Sequence, residues 1–269
     1  MKFTLGYSTC PNDTFIFDAM VHKKIDTEGI EFEPFLADVE ELNQKAFRCE
    51  LDITKLSYHA FLYLLKDYAL LTSGSALGHR CGPLFISARP INVHGIAGDK
   101  ILIPGKLTTA NFLLQFFLGK TVQAQPVLFS DIEKNLLNGS AEAGVIIHEG
   151  RFTYQAKGLH LIQDLGDYWE TKTGMPIPLG AITIRKTFGP EIQSVIGRII
   201  RRSVEYAFSH PTSSKSYVKH HAQELDDTVI AEHIKLYVND YTLDLGTKGY
   251  AAVDFLKKEA LRIGILPSS

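Results

Sequence analysis

His148 stands directly after a short apolar run, Gly144-Val-Ile-Ile147, where the polarity of the chain changes abruptly. Such a run, rich in β-branched side chains, is long enough for one buried strand. In an open α/β sheet, ligands bind just beyond the carboxyl ends of the strands. A histidine placed there faces a cleft, and its ordinary pKa suits proton transfer near neutral pH. The competing reading is a capping or surface histidine. Two further stretches carry hydroxyls where a helix is predicted to start: Ser8-Thr-Cys-Pro-Asn-Asp-Thr14, and Thr108 with Thr109. Helix N-termini with free N–H groups and nearby hydroxyls bind anions, carboxylates included. Simple capping accounts well for one threonine and less well for two. Lys55 and Ser57 close another apolar stretch, and Lys55 reads equally as a solvated lysine or as a ligand contact. Cys10, close to a predicted helix N-terminus, is expected to have a lowered pKa. It ranks below His148 because no base is visible near it in sequence.

The elements that must position these residues alternate between strand and helix, which makes the class α/β. Residues 2–7 read as a strand, and the helix after them opens among Asn12, Asp13 and Thr14. Strands are predicted at 30–33, 51–57, 83–88, 100–104, 125–129, 144–147 and 181–185. Residues 39–47 form a short amphipathic helix. Residues 111–118 are strongly apolar and helical, and Ser130-Asp-Ile-Glu133 has the spacing of a capping box. From Pro190 onward the chain is helical, with Ile192, Val195, Ile196, Ile199 and Val204 at helical spacing. Residues 90–99 read as a crossover into a second lobe, residues 175–181 as the return, and the tail 266–269 as frayed.

Two units occur twice. Strand, hydroxyl-bearing turn and helix appear around Ser8–Thr14 and again around Thr108 and Thr109. Helix, acidic turn and strand ending in a polar residue appear before Ser57 and again before His148. The repeat predicts two similar α/β lobes with a ligand cleft between them, residues 1–92 with 180–269 forming one and 93–179 the other. Ser8–Thr14 and Lys55–Ser57 would clasp a small acidic ligand from one side. Thr108, Thr109 and His148 would face it from the other.

Composition limits the alternatives. Hydrophobic content of 45% with 22% charged residues is ordinary for a globular protein. The net charge of −2 and the lack of any Lys/Arg run give no case for nucleic acid. No uninterrupted apolar segment is long enough to span a bilayer, and the first residues lack the apolar core of a signal peptide. Cys10, Cys49 and Cys81 are odd in number and without CxxC spacing, which fits free thiols in a reducing cytoplasm. Neither GxGxxG, Walker A, HExxH nor GxSxG is present. His220, His221 and His233 read as solvated helix faces rather than metal ligands. His59 and His79 flank the cleft segments. No metal or organic cofactor is expected, and a homo-oligomer is allowed.

Five segments in order carry a family resemblance. They are Ser8-Thr-Cys-Pro-Asn-Asp-Thr-Phe-Ile-Phe17, Thr54-Lys-Leu-Ser-Tyr58, Pro104-Gly-Lys-Leu-Thr-Thr-Ala110, Ile146-Ile-His-Glu-Gly-Arg-Phe-Thr-Tyr154 and Pro176-Ile-Pro-Leu-Gly-Ala181. Together they resemble the 1,4-dihydroxy-6-naphthoate synthases of the futalosine route to menaquinone. The resemblance implies a two-lobed fold like that of the type II periplasmic binding proteins. It also implies a cytoplasmic lyase acting on cyclic dehypoxanthinyl futalosine, a small acidic aromatic substrate. By the same resemblance His148 matches the family's catalytic base. Lys55, Leu56 and Ser57 match one substrate-binding segment, and Thr108 and Thr109 match the other. The chain departs from the family pattern in reading His-Glu-Gly where His-Glu-Ser is expected, and in having Lys106 and Leu107 before the threonine pair. Two rivals share the implied fold, a solute-binding or ligand-sensing protein and the sister enzyme chorismate dehydratase.

Overall fold

The computed structural model describes residues 1–93, 96–223 and 226–266. Its strands are β1 (Lys2–Tyr7), β2 (Glu31–Leu36), β3 (Ile53–Ser57), β4 (Tyr68–Leu70), β5 (Ala76–Gly78), β6 (Leu84–Ser87), β7 (Ile101–Ile103), β8 (Gln125–Pro126), β9 (Ala143–Ile146), β10 (His160–Asp164) and β11 (Ile177–Arg185). They form two sheets among the described residues. One runs β2-β1-β3-β11-β4, with β5 also paired to β11, and the other runs β10-β6-β9-β7-β8. In the first sheet β1 is parallel to β2 and β3, while β11 is antiparallel to β3, β4 and β5. In the second sheet β7 is parallel to β8 and β9, while β6 is antiparallel to β9 and β10.

The chain passes from the first sheet to the second between β5 and β6. Residues 83–88, expected in the first lobe ahead of a boundary at 92/93, carry β6. Its fully buried Phe85 and Ile86 pair with Val145 and Gly144 in the second sheet. The chemical punctuation at Pro90 marks a loop after that strand. Residues 94 and 95 of the expected crossover, and 267–269 of the expected frayed tail, lie outside the described residues. Residues 175–181, read as a stiff return segment, are mostly strand: β11 begins at Ile177. Its ladder with β5 shifts register between Pro178 and Gly180, since proline has no N–H to donate and is accommodated at such irregularities.

The helices are α1 (Pro11–Val21), α2 (Val39–Phe47), α3 (Tyr58–Tyr63), α4 (Thr109–Leu118), α5 (Ile132–Leu137), α6 (Gly150–Thr153), α7 (Leu165–Thr173), α8 (Gly189–Ser209), α9 (Lys215–His221), α10 (Asp227–Tyr237), α11 (Asp240–Leu243) and α12 (Gly246–Arg262). Their starts follow local chemistry. Asp38 caps α2 by accepting from the N–H groups of Glu40 and Glu41, and Thr108 caps α4 by accepting from that of Asn111. Gly119, at φ 66°, ends α4 in the left-handed conformation that lacks a steric penalty only for glycine. In α8 the periodic Ile196, Ile199, Ile200 and Val204 are fully buried, in the same apolar cluster as Leu5 and Ile53 of the first sheet. A second cluster joins Phe85 and Val145 of the second sheet to Phe112 and Trp169, whose Nε1 donates to the Pro176 carbonyl. No helix among the described residues is long and apolar enough to cross a membrane.

Candidate active site

A cavity takes its lining residues from β3, β5 and β11 of the first sheet and from the segments that follow β7 and β9 of the second. Much of its wall is apolar: Val39, Ala76, Pro83, Ala110, Ile147 and Leu179. Its polar lining includes Lys55, Ser57, Thr108, Thr109 and His148. The structure therefore brings together Lys55, Ser57, Thr108, Thr109 and His148, and leaves out Leu56, the other residue of the Lys55–Ser57 segment. Leu56 is fully buried and does not line this cavity. Alternation along β3 sends Lys55 and Ser57 to one face and Leu56 to the other.

His148 follows β9 in the turn that leads into α6, with φ at 58°. That left-handed conformation costs a non-glycine residue on the order of 1–2 kcal/mol. The backbone is held there by its surroundings, and it turns the ring towards α1. His148 Nδ1 lies 3.2 Å from Cys10 Sγ. Its ring packs edge-on against Phe129 and stacks on His233 at 6.2 Å between centroids. Burial, with the positive charge of Lys55 second, pushes the His148 pKa down to about 3, so the imidazole is neutral.

Lys55 is not the solvated lysine that sequence allowed. It is 6% exposed, and its Nζ is paired at 2.5 Å with Asp13 Oδ1, itself 1% exposed. Asp13 also accepts from the Ser8 N–H, the Ser8 hydroxyl and Asn12 Nδ2. Gly180, opposite Ser57 in the β11 ladder, makes room for this lysine, because a Cβ there would sit 2.9 Å from Lys55 Cε. The expected clasp of Ser8–Thr14 is thus turned inward. The carboxylate of Asp13 already occupies the start of α1, and of this segment Asn12 lines the cavity.

The hydroxyls of the threonine pair are committed to the protein. Thr108 Oγ1 accepts from the Asn111 N–H and donates to the Gly105 carbonyl, and Thr109 Oγ1 donates to the Leu179 carbonyl. What the pair offers the cavity is the first turn of α4, whose N–H groups have no intrahelical acceptors. With the partial positive charge of the helix end, that turn suits an anion. Behind it, His59 Nδ1 donates to the Thr108 carbonyl, which fixes its tautomer, and burial lowers its pKa to about 4.

Three further expectations are corrected here. Cys10 was expected to have a lowered pKa from its place at the N-cap of α1. Burial, reinforced by the charge of Glu149, pushes it well above its usual value. His233 was read as a solvated face. It is fully buried, its Nε2 donates to Asn12 Oδ1 at 3.0 Å, its Nδ1 lies 4.0 Å from Glu149, and its pKa is driven well down by burial. The sequence held one signal for it: on α10, His233 shares a helix face with Ile230 and Tyr237, both buried. His79, expected near the cleft, is exposed and paired with Glu170. Among the described residues no cluster of His, Cys, Asp and Glu is arranged to hold a metal ion.

Comparison with known proteins agrees with this architecture. The family model described as menaquinone biosynthesis matches residues 3–261. The 1,4-dihydroxy-6-naphthoate synthase of Thermus thermophilus is 43% identical over 98% of this chain and 96% of its own length. That of Streptomyces coelicolor is 40% identical over 98% and 94%. A crystal structure of a protein from Archaeoglobus fulgidus superposes with a TM-score of 0.90 at 33% identity, covering 98% of each chain. The alkanesulfonate-binding protein of Xanthomonas axonopodis, at 12% identity and a TM-score of 0.71, covers 99% of this chain and 94% of its own. At that identity it speaks for the fold alone, which is that of the periplasmic binding proteins.

Proposed function

The chain belongs to the menaquinone-biosynthesis family and is an enzyme of it; on that premise we propose that it is a carbon–carbon lyase converting cyclic dehypoxanthinyl futalosine to 1,4-dihydroxy-6-naphthoate, with His148 as the base. The observation that carries this reading is a neutral histidine on the wall of a largely apolar cavity shared with Lys55, Ser57 and the start of α4.

In the proposed reaction the aromatic part of the substrate lies between the apolar walls, where burial of its surface supplies most of the binding. Its carboxylate is held by the first-turn N–H groups of α4. Lys55, neutralised in part by Asp13, fixes the polar side of the ring. In this reading His148 carries its own proton on Nδ1, 3.2 Å from Cys10 Sγ, which leaves a lone pair on Nε2 to take the substrate proton. With its pKa at about 3 this imidazole is by itself a weak base. An anionic substrate beside it favours the imidazolium and raises its pKa in the complex, as any nearby negative charge does. A positioned base of this kind contributes a rate factor of about 10² to 10⁴. Cleavage of the carbon–carbon bond is then driven by aromatisation of the product ring.

The test is to incubate the protein with cyclic dehypoxanthinyl futalosine and follow the naphthoate chromophore, for wild type and for His148→Ala. Turnover by wild type with a loss of at least about 10²-fold in the variant is expected. Binding without conversion favours the ligand-sensing reading, and near-wild-type turnover by folded His148→Ala removes the base assignment.

A further inference from the structure

The two segments that face each other across the cavity are physically connected outside it. Glu40, on α2 beside the first sheet, accepts from the Leu107 N–H with both carboxylate oxygens, at 3.4 and 3.3 Å. Leu107 lies in the loop after β7 of the second sheet, one residue before Thr108. One turn along α2, Asn43 is fully buried and uses both ends of its amide. Its Nδ2 donates to Glu40 Oε2 and to Ser57 Oγ, both at 3.2 Å, and its Oδ1 accepts from the Ser57 N–H at 2.9 Å. The chain of bonds therefore runs from Leu107 through Glu40 and Asn43 to Ser57. Gln44 Nε2 also donates to Glu40 Oε1 at 3.3 Å. The loop is shaped for this contact: a Cβ on Gly105 would overlap the Glu40 carboxyl group.

We propose that Glu40 is a positioning residue that clamps the Thr108–Thr109 loop to the opposite lobe and, through Asn43, sets its distance from Ser57. The proposal deepens the assignment of these segments to substrate binding and rests on that assignment. A carboxylate suits the task because it only accepts, and every group aimed at it here donates. At 3.2–3.4 Å these bonds are longer than the strongest charge-assisted ones, and the hold comes from the donors of Leu107, Asn43 and Gln44 converging on one carboxylate. The clamp pre-forms the cavity, so less of the substrate's binding energy goes into drawing the lobes together.

Two readouts test the clamp. The first needs no substrate: amide hydrogen exchange at Leu107 in the ligand-free full-length protein, by NMR. Glu40→Ala is expected to accelerate it about tenfold or more, the effect of losing a hydrogen bond to a charged group. The second is steady-state turnover of cyclic dehypoxanthinyl futalosine. Glu40→Ala raises KM about 10- to 100-fold with kcat changed far less, because the base and its surroundings are intact. Glu40→Gln, which keeps one acceptor oxygen, falls between it and wild type. Exchange at Leu107 in Glu40→Ala within about twofold of wild type overturns the proposal, as does a loss confined to kcat. If wild type does not turn over this substrate, the functional reading fails, and the exchange measurement still decides the clamp.

Discussion

Holding His148 neutral has a consequence for stability that can be worked through. In the unfolded chain a histidine titrates near 6.5, and in the folded protein burial takes His148 to about 3. Between these values the unfolded state binds a proton that the folded state refuses. Stability therefore falls as pH drops through this window and is fully restored above 6.5. From about pH 8 to about pH 5 the unfolded histidine becomes nearly fully protonated while His148 stays neutral. That difference spans about 1.5 pH units at 1.36 kcal/mol each, or about 2 kcal/mol of lost stability. Replacing His148 with Asn removes this contribution, so the loss between the two pH values should be about 2 kcal/mol smaller in the variant. Urea unfolding of both proteins at both pH values measures it, and the ring Cε1–H resonance missing from the variant identifies His148 by NMR. In turnover, kcat/KM of the free enzyme should show no His148 inflection near neutrality. A His148 resonance that titrates near 6.5, or a variant whose stability falls with pH as much as wild type's, refutes the reasoning.

Two further perturbations follow from the same geometry. Asp13→Asn leaves the buried ammonium of Lys55 without its counter-charge, and should destabilise by about 3–5 kcal/mol in chemical denaturation; a cost under about 1 kcal/mol would mean that the pair is hydrated. His148→Gly removes the ring as Ala does but relieves the left-handed backbone at φ 58°. It should therefore be more stable than His148→Ala by about 1 kcal/mol, read from the denaturation midpoints, while turnover falls equally in both.

Much of the candidate site was legible because its signals are local. The start of α4 at Thr108, the end of β3 at Ser57 and the apolar run before His148 are each written within a few residues, where periodicity, caps and strand ends leave their marks. What was not legible depends on contacts far apart along the chain. Lys55 meets Asp13 across 42 positions, Leu107 meets Glu40 across 67, and His233 meets Asn12 across 221. No spacing rule reaches that far. The strand expected at 83–88 is present as β6, but in the second sheet rather than the first, because an apolar run announces a strand and not the sheet that takes it up.

By itself the sequence determined the alternation of strands and helices, the family, and the positions at which polar groups emerge from apolar segments. Only the tertiary structure decided what state those groups are in. Cys10 has the address of an activated thiol, yet desolvation raises its pKa. His233 has the surroundings in sequence of a solvated residue, yet it is fully buried against Asn12. Lys55 is as polar as any lysine, yet it lies inside, neutralised by Asp13. The physical reason is common to all three. Local sequence sets backbone geometry, whereas the cost of a charge depends on how much water is removed and which partner replaces it, and both are supplied by parts of the chain that meet only on folding.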